Sequence, residues 1–467
     1  MKNTPPKSTK HEYVYHWVLA KIKEQHYLPN QKLPSVRQLA TRLRVSHTTI
    51  ATAYDNLVAD GHIRATKGIG YYVEKSHGLA IDTHAEKNAI RTSDLTNSAW
   101  LMSHLFNHHP ESHYPGRGRL PAKWLPTQHF HAEIKKSLAN TNGLFTSYGS
   151  IHGLKALREL FARNLTRIGV TADLDNMMTT AGVCGAIDLL TDYFLEPHDV
   201  VLVDAPCWFW LIGCLKMKNI QIIGIDRTAT GPNLEQIQSA ASKYRPKLYI
   251  TNAVLHNPTS FNVNPASIHA VLNLAEQYGF YILEDDIYSE LAGTQESIRY
   301  ASLDNNERVF YCSSPSKVIG GNFKVGVVCS PQQHTDGLLK QKMLSQMCVA
   351  ELNERLILAI CASPHYRKHL ERLTERLSLA HENLAKQLRQ IGLVYPEHTM
   401  SGLFVWQQLP CNTDTLAVDA KKAGWLIAPG SLFSPNGQHT NYTRLNVALT
   451  SAAFLSWLAR YLDKKAK

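Results

Sequence analysis

From residue 145 onward, short apolar runs alternate with segments of helical periodicity. The runs VVLVDAP, KLYITNAV and FYILEDD have the length and composition of buried strands, whereas GSIHGLKALRELFARNLTRIG and PASIHAVLNLAEQYG repeat apolar residues at helical spacing. This alternation predicts an α/β fold whose mostly parallel sheet is covered by helices on both faces. Ligands of such sheets bind beyond the carboxyl ends of the strands, so the loops that follow the strands form the candidate site.

Polar residues follow three of these predicted strands. HNPTS (256–260) follows KLYITNAVL, DDIYSEL (285–291) follows FYILE, and SPSKVIGG, which contains Lys317, follows RVFYCS. An amide, a carboxylate with a tyrosine, and a lysine would therefore gather along one edge of the sheet. This set suits a pyridinium aldehyde bound to lysine, because the carboxylate keeps the ring nitrogen protonated and the amine forms an imine. For Lys317 taken alone, a solvated loop residue remains the alternative.

Basic residues are concentrated at the N-terminus. Residues 1–75 hold twelve Lys and Arg against five Asp and Glu, which gives +7 of the net charge of +11. This asymmetry favours a polyanion as the partner of the segment. A solvated basic face would give the same count, so the charge alone leaves both interpretations open.

A first helix is predicted within residues 10–26, because Tyr13, Trp17, Ala20 and Ile22 lie near helical spacing. Two further helices are predicted from their caps. Ser35 caps SVRQLATRL and Ser46 caps the segment that Gly61 ends. A tight turn joins them into a helix-turn-helix. The residues predicted to face inward are Val36, Leu39, Ala40 and Leu43 in the second helix, and Ile50, Ala53, Tyr54 and Leu57 in the third.

The third helix and the segment after it have the composition of a DNA-binding surface. Its first residues, Ser46 to Thr49, are small or polar and able to bond phosphates or base edges. HIRATKGIGYYV then predicts a β-hairpin wing with Arg64 and Lys67 near its tip. The segment is therefore predicted to be a winged helix-turn-helix (α+β, mostly α), with a protein-binding winged helix as the alternative.

Residues 32–73 closely resemble the GntR-type winged helix over its whole length. The resemblance implies that Arg37 contacts the DNA backbone, that 46–49 enter the major groove and that 67–70 belong to the wing. The chain has His47 where the family commonly has Arg. The DNA-binding residues implied are Ser35, Arg37, Ser46, His47, Thr48, Thr49, Arg64, Lys67, Gly68 and Gly70.

Residues from about 110 to the end resemble a fold type I aminotransferase, an α/β transferase-like domain that uses pyridoxal 5′-phosphate (PLP). Carried over by this resemblance, Lys317 is the lysine that binds the cofactor covalently, and Asp285 faces the pyridine nitrogen. Asn257 and Tyr288 are expected to bond the phenolic oxygen of the ring, and Trp208 is expected to stack on it.

The same resemblance assigns the cofactor phosphate and a ligand carboxylate. The phosphate would lie at the helix start formed by Gly182, Val183 and Cys184, with contacts from Ser314 and Lys324. Arg444 corresponds to an arginine that clamps a substrate carboxylate, and Tyr148 is a second candidate for substrate or effector contact. A structural salt bridge is the alternative for Arg444. The chain departs from the family pattern at Ser260, usually Gly, and at Lys324, usually Arg.

The combination of the two parts resembles the MocR subfamily of bacterial transcriptional regulators. We expect a winged-helix domain over 1–75, a linker over 76–109 and an aminotransferase-like domain over 110–467. The resemblance implies a homodimer and an operator with two half-sites. The polar N-terminus and the lack of a long apolar run predict a cytoplasmic protein without a membrane partner.

The eight cysteines all follow residue 180, form no C-x-x-C pair and lie mostly among apolar residues. Free buried thiols are the preferred interpretation, with disulfides or a metal site as alternatives. The His-rich stretch 106–113 lacks ordered ligand spacing, so no metal is predicted.

Three functions fit these patterns. The main hypothesis is a DNA-binding regulator whose large domain senses PLP, an amino compound, or both. The second is a PLP-dependent aminotransferase with an accessory DNA-binding domain, and the third is a cofactor-free regulator with a relic domain. Whether the chain turns over a substrate is left open by the sequence.

Overall fold

The computed structural model of the chain describes residues 9–24, 26–66, 69–74, 113–138, 144, 146–292, 297–396 and 400–466. They belong to two compact units that divide between residues 89 and 90. Among the described residues, no helix is both long and apolar enough to cross a membrane.

The N-terminal unit is a three-helix winged helix. Its elements are Lys10–Lys23 (α1), Val36–Leu43 (α2), His47–Ala59 (α3), Ile63–Thr66 (β1) and Gly70–Val73 (β2). The two strands pair antiparallel, with Ile63 opposite Val73, and form the predicted hairpin. Gly61 follows α3 with a φ of +72°, a left-handed conformation that favours glycine.

The predicted inward face of α3 is confirmed, because all four of its residues are fully buried. The predicted first helix is confirmed, but the residues whose spacing indicated it are not the ones that face the core. Val14 and Val18 are the buried residues of α1, whereas Tyr13 is 57% exposed. The compact valines pack in the core, while the larger Trp17 is only half-buried and lies under the guanidinium of Arg42, 5.8 Å away.

The C-terminal unit contains thirteen α-helices in its described part. They span Thr127–Leu138 (α4), Lys155–Arg167 (α5), Gly182–Phe194 (α6), Phe209–Met217 (α7), Leu234–Tyr244 (α8), Pro265–Tyr278 (α9), Tyr300–Leu303 (α10), Ser316–Ile319 (α11), Gln332–Ser345 (α12), Glu351–Cys361 (α13), Pro364–Gln390 (α14), Thr413–Lys422 (α15) and Ala452–Ala466 (α16).

The strands of this unit form two sheets. They span Met177–Thr180 (β3), Val200–Ala205 (β4), Gln221–Thr228 (β5), Gly231–Pro232 (β6), Leu248–Thr251 (β7), Tyr281–Asp285 (β8), Val309–Ser313 (β9), Gly326–Cys329 (β10), Phe404–Gln408 (β11), Ala428–Pro429 (β12) and Tyr442–Asn446 (β13). The large sheet has the order β3-β10-β9-β8-β7-β4-β5-β6, and the small one β11-β13-β12.

The large sheet is mostly parallel, as the alternating pattern predicts. Strands β9, β8, β7, β4 and β5 are parallel neighbours, whereas β10 runs antiparallel to both β3 and β9. Alternate side chains enter two apolar clusters on the two faces; for example, Ile282 belongs to one and Leu283 to the other. Because β3 and β9 both oppose β10, the carboxyl ends of β3, β7, β8 and β9 lie at one edge.

Candidate functional site

Lys317 lies at this edge, in the short helix α11 that follows β9. Its Nζ donates to the carbonyl of Gly118 at 3.2 Å and lies 5.3 Å from the ring centre of Tyr288. On the other side of α11, the Nε2–H of His369 donates to the carbonyl of Val318 at 2.7 Å. The lysine is thus half-buried and directed into a cleft, rather than a fully solvated loop residue.

Asp285 ends the neighbouring strand β8 and is 6% exposed. One carboxylate oxygen accepts from the backbone N–H of Ile287 at 3.1 Å, and the amide of Asn252 donates to the Asp285 carbonyl. Burial raises the pKa of the Asp285 carboxyl to about 6, although these bonds and the charge of Lys317 oppose the rise. A cation placed against this carboxylate would restore its usual ionisation.

Arg444 links the small sheet to the large one. It lies on β13, is 2% exposed, and donates through Nη1 to Asn257 Oδ1 at 2.8 Å. The amide nitrogen of Asn257 in turn lies 3.4 Å from the hydroxyl of Tyr288. The guanidinium carbon lies 4.3 Å from the ring centre of Phe404 and 4.9 Å from that of Phe433.

The environment of Arg444 leaves one donor unused. Burial lowers its pKa to about 10, so it stays protonated near neutral pH. Its Nε is buried and has no hydrogen-bond partner within the described part of the chain. A buried cation with an unsatisfied N–H favours binding of an oxygen anion.

A buried polar network holds the loop that carries Asn257. Asp204 accepts from the Tyr249 hydroxyl at 2.6 Å and from Thr251 at 2.7 Å, and lies 3.2 Å from Arg227 and 3.3 Å from His256. Burial acts to raise the pKa of Asp204, but the charge of Arg227 and these bonds hold it at about 2. Sequence reasoning did not identify this network, since its residues are ordinary strand residues taken singly.

The predicted phosphate residues come together around Gly326. α6 begins at Gly182, whose φ is +72°, directly after β3. A Cβ on Gly326 would lie 2.9 Å from the carbonyl carbon of Gly182 and 3.0 Å from the carbonyl oxygen of Ser313. The start of α6 and the end of β9 can therefore both pack closely against β10 only because position 326 is glycine.

The charges of two lysines reach Cys184 in the first turn of α6. Burial raises the pKa of the Cys184 thiol, while the charges of Lys324 and Lys317 act in the opposite direction. Lys324 is exposed and adopts a left-handed φ of +53°, and Ser314 is buried with its hydroxyl donating to Val325 at 2.7 Å. Two cations next to backbone N–H groups form an anion-binding environment.

Two predicted residues lie at the margin of this arrangement. Trp208 precedes α7, and its half-buried ring stacks on Trp210 at 4.9 Å between ring centres. Tyr148 is 82% exposed on the surface of the chain. The structure therefore does not place the Tyr148 side chain in the cleft of its own chain.

The segment 113–120 enters the site, and sequence reasoning did not identify it. The Gly118 carbonyl accepts from Lys317, and the Gly116 carbonyl accepts from Arg444 Nη2 at 2.7 Å. Asn446 donates to the carbonyls on either side of Gly118, those of Arg117 at 2.6 Å and Arg119 at 2.8 Å. The pair of glycines in YPGRGR was the only available signal, because the contacts use backbone carbonyls.

The predicted DNA-binding residues of the N-terminal unit lie at its helix starts and hairpin. Ser35 accepts from the N–H of Gln38 at 3.3 Å, and Ser46 from that of Thr49 at 3.1 Å, so both cap their helices. Next to these caps, Arg37, His47 and Thr48 are exposed, and Thr49 is half-buried.

In the hairpin, Arg64 lies 3.3 Å from Glu74 and over the ring of Tyr72 at 5.2 Å. Gly70 has a φ of +133° and begins β2. Lys67 and Gly68 lie outside the described residues.

Two family models match the chain. The model for aminotransferase class I and II matches residues 118–462, and that for the gntR family of bacterial regulatory proteins matches residues 10–73. The chain is 26% identical over 451 residues to the uncharacterized HTH-type transcriptional regulator YjiR of Escherichia coli K12, covering 94% of this chain and 95% of that one. It is 22% identical over 431 residues to the HTH-type transcriptional regulator NorG of Staphylococcus aureus USA300, covering 90% and 96%.

Solved structures share the fold of the large unit. A kynurenine aminotransferase of Pyrococcus horikoshii superposes with a TM-score of 0.72 at 22% identity, covering 83% of this chain and 99% of that one. A multiple substrate aminotransferase of Thermococcus profundus gives a TM-score of 0.71 at 21% identity, covering 79% and 95%.

Proposed function

Because the chain belongs to the aminotransferase class I and II family and carries a gntR-family domain, the arrangement of the MocR regulators, we propose that its large unit binds pyridoxal 5′-phosphate and thereby controls DNA binding. The chain is a transcriptional regulator with an aminotransferase-like domain. We infer a DNA-binding domain over 1–75, a linker over 76–109 and a cofactor-binding domain over 110–467.

The donor set at the sheet edge fits this cofactor. The buried Asp285 carboxylate, whose pKa is raised by burial, gains from a protonated ring nitrogen. Lys317 supplies the amine for covalent attachment. Asn257 and Tyr288 lie close enough to each other to bond the same phenolate oxygen. Trp208 supplies a ring for stacking. When bound, PLP supplies an aldehyde that reacts reversibly with primary amines.

The phosphate of the cofactor has its own proposed contacts. The N–H groups at the start of α6 and the ammonium of Lys324 attract a dianion. The Ser314 hydroxyl, which now donates to the Val325 carbonyl, would bond the phosphate after turning away from that carbonyl. These contacts belong to the group formed by Gly182, Val183, Cys184, Ser314 and Lys324. Lys324 contributes charge without the bidentate geometry of an arginine.

An effector with an amine and a carboxylate fits the remaining groups. Arg444 holds its guanidinium rigidly between aromatic rings with one N–H unsatisfied, which suits a carboxylate oxygen. The carboxylate of such an effector would compete with the Gly116 carbonyl for the guanidinium of Arg444. Tyr148 is exposed and can contact an effector only from outside its own cleft.

We propose that the chain acts as a homodimer on two operator half-sites. Large apolar side chains are exposed around the end of α12, including Leu344 at 84% and Met347 at 54%, and the adjacent loop carries Tyr148. Lys342 of α12 donates to the carbonyl of Ile151, which joins this loop to the helix. Several large apolar side chains exposed in one region favour a protein contact there.

DNA contacts are proposed for the helix starts and the wing. Arg37 is exposed, and we propose that it pairs with a phosphate; His47, Thr48 and Thr49 lie at the start of α3 with Ser46. Ser35, Arg64, Lys67, Gly68 and Gly70 complete the proposed DNA-binding set. A phosphate contact by Arg37 should contribute to the salt dependence of binding without contributing to sequence preference.

The observation that carries the proposal is the convergence of Lys317, Asp285, Asn257 and Arg444 at one sheet edge. Its test is the visible absorption spectrum of the full chain titrated with PLP, beside Lys317→Ala and the surface control Lys340→Ala. We expect a saturable visible band in the wild type and the control and none in Lys317→Ala. No band in any of the three proteins would contradict cofactor binding and favour a cofactor-free regulator.

DNA binding is tested with the same proteins and with Arg37→Ala. We expect Arg37→Ala to lower operator affinity and reduce the salt dependence by about one phosphate contact while keeping the visible band. Lys317→Ala should retain DNA binding but lose its response to PLP and amino acids. A cofactor band without any effect of PLP or amino acids on DNA binding would contradict control of one unit by the other.

An aminotransferase is a second candidate, favoured by the presence of both a cleft lysine and a buried carboxylate-binding arginine. Sustained turnover of an amino-acid and keto-acid pair, lost in Lys317→Ala and in Arg444→Lys, would support it. A single slow conversion of bound cofactor without regeneration would instead favour the regulator.

A further inference from the structure

A cavity of about 930 Å³ lies on the opposite face of the large sheet from the Asp285 carboxylate. Tyr311 and Ser313 of β9 line it, whereas Asp285 pairs with the intervening Cys312, whose side chain enters the apolar cluster of the other face. Its walls are the facing surfaces of α5 and α14, and the turn at 289–290 closes it. The volume is that of a pocket for a drug-sized molecule.

The lining is apolar with an acidic group at its base. Phe161, Leu165 and Leu370 contribute apolar surface, and Glu290 is half-buried against it. The hydroxyl of Tyr366 lies 2.8 Å from each carboxylate oxygen of Glu290. Burial raises the pKa of the Glu290 carboxyl to about 7, although the hydrogen bond from Tyr366 opposes the rise.

The charges around the cavity are unbalanced. Among the described residues of the lining, Arg367 is the one basic residue, and it lies 3.3 Å from Glu371. The described lining therefore offers Glu290 and Glu375 no other cation, which favours binding of positive charge in the cavity.

We propose that this cavity binds a small organic cation with an apolar body, such as an ammonium group attached to an aromatic ring, with Glu290 as its counter-ion. An ammonium at the base would form a charged hydrogen bond to Glu290, and the apolar body would occupy the space between α5 and α14. The cavity shares Ser314 with the proposed phosphate contacts but lies on the other face of the sheet from the Asp285 carboxylate, and its occupation does not require PLP.

The cavity is connected to α11, the short helix that carries Lys317, in two ways. Ser314 and Pro315, which lead into α11, line it directly. The α14 wall is joined to α11 by the hydrogen bond from His369 to the Val318 carbonyl. A ligand in the cavity would therefore lie next to the segment that carries Lys317, against Ser314 and Pro315 directly and against α14, which His369 joins to α11.

Binding is tested by calorimetry on the full chain prepared without PLP, and on Lys317→Ala, so that the amine of the probe cannot react with a cofactor. The probe is phenethylamine, and 2-phenylethanol is its neutral analogue. We expect saturable binding of one amine per chain, unchanged in Lys317→Ala, and weaker binding of the alcohol by about tenfold or more.

Two variants locate the probe. Glu290→Gln should weaken phenethylamine about tenfold or more, whereas Glu382→Gln, an exposed position on α14 outside the cavity, should have no effect. Ser378→Trp, at the exposed mouth, should block both probes without disturbing the core.

Absence of saturable binding at millimolar amine, or equal affinity in wild type, Glu290→Gln and Ser378→Trp, would overturn the proposal. Thermal unfolding of each variant establishes that it is folded. Because Lys317→Ala retains the site, a failure here is distinguishable from a failure of PLP binding, which is read from the visible band.

Discussion

The two units differ in how their proposed functional residues affect the fold. In the N-terminal unit, Ser35 and Ser46 cap helices and lie next to exposed residues proposed for DNA contact, so they also stabilise the structure. In the C-terminal unit, burial raises the pKa of Asp285 and lowers that of Arg444, and Lys324 has a left-handed φ. The first site adds to stability, whereas the second lowers it until a ligand is bound.

This difference follows from the chemistry that each site serves. DNA is recognised at a solvated surface, where polar side chains keep their hydration and cap helix ends at no extra cost. A small ligand is held in a buried cleft, where charged groups lose hydration before their partner arrives. Substitutions that raise the free energy of unfolding while weakening ligand binding should therefore be found in the C-terminal unit.

The largest expected effect is a gain of stability in Asp285→Asn. The rise of the Asp285 pKa from 3.8 to about 6 corresponds to about 3 kcal/mol. Because the folded pKa is raised, the contribution of Asp285 to stability is fully present below about pH 4 and is lost as the pH rises through about 6. Without cofactor at pH 8, we expect Asp285→Asn to increase the free energy of unfolding of the C-terminal unit by about 3 kcal/mol, and by much less at pH 4.

The measurement is urea unfolding at both pH values, with the exposed Asp336→Asn as control. The same Asp285→Asn protein should bind PLP more weakly, since the ring nitrogen loses its counter-charge. A variant that is no more stable than the wild type at pH 8 would remove the contrast between the two units.

A smaller effect of opposite sign is expected for Gly326→Ala. The added Cβ meets backbone atoms of Gly182 and Ser313 that cannot move independently, so we expect a loss of about 2 kcal/mol in the C-terminal unit. The start of α6 would shift, and PLP affinity should fall as well. Thermal unfolding and PLP titration measure both effects.

The matched control for Gly326→Ala is Gly321→Ala, in the same connection, where a Cβ meets no atom within 4 Å. Equal stability of the two variants would show that the close approach at Gly326 is not a constraint on the site.

The smallest effect is expected for Ser46→Ala. Loss of the α3 cap should cost about 1 kcal/mol in the N-terminal unit and also lower DNA affinity. Thr48→Ala, at an exposed position in the same turn, should lower DNA affinity without the loss of stability. Hydrogen exchange of the α3 amides, measured beside operator binding, separates the two. Unchanged hydrogen exchange in Ser46→Ala would show that Ser46 does not stabilise α3 in addition to its proposed contact with DNA.

The sequence predicted elements better than it predicted contacts between distant elements. The cap and stripe of α3 were sufficient, because both signals are local. For α1, the spacing of Tyr13 and Trp17 indicated the helix but not its buried face, since both side chains are amphipathic and the compact Val14 and Val18 fill the core. Periodicity reports burial only when the residue types at each position are unambiguous.

In the C-terminal unit, the loops around Asn257, Asp285 and Lys317 could be placed at one edge from the strand pattern alone. The contact of Arg444 with Gly116 joins residues far apart in the chain through a backbone carbonyl. Such a contact has no side-chain signature on the acceptor side, so the 113–120 segment was not predictable. The assignment of individual ligand contacts in this unit stays a prediction.

The antiparallel strand β10 has a consequence for how Ser314, Lys317 and Lys324 meet a ligand. All three lie on one connection between β9 and β10, which is fixed at both ends where Ser313 pairs with Val327. The conformational entropy of bringing an amine, a hydroxyl and an ammonium together is therefore lost when the sheet forms, before any ligand arrives. A ligand meets these groups at a high effective concentration, and its affinity is not reduced by the cost of ordering a free loop.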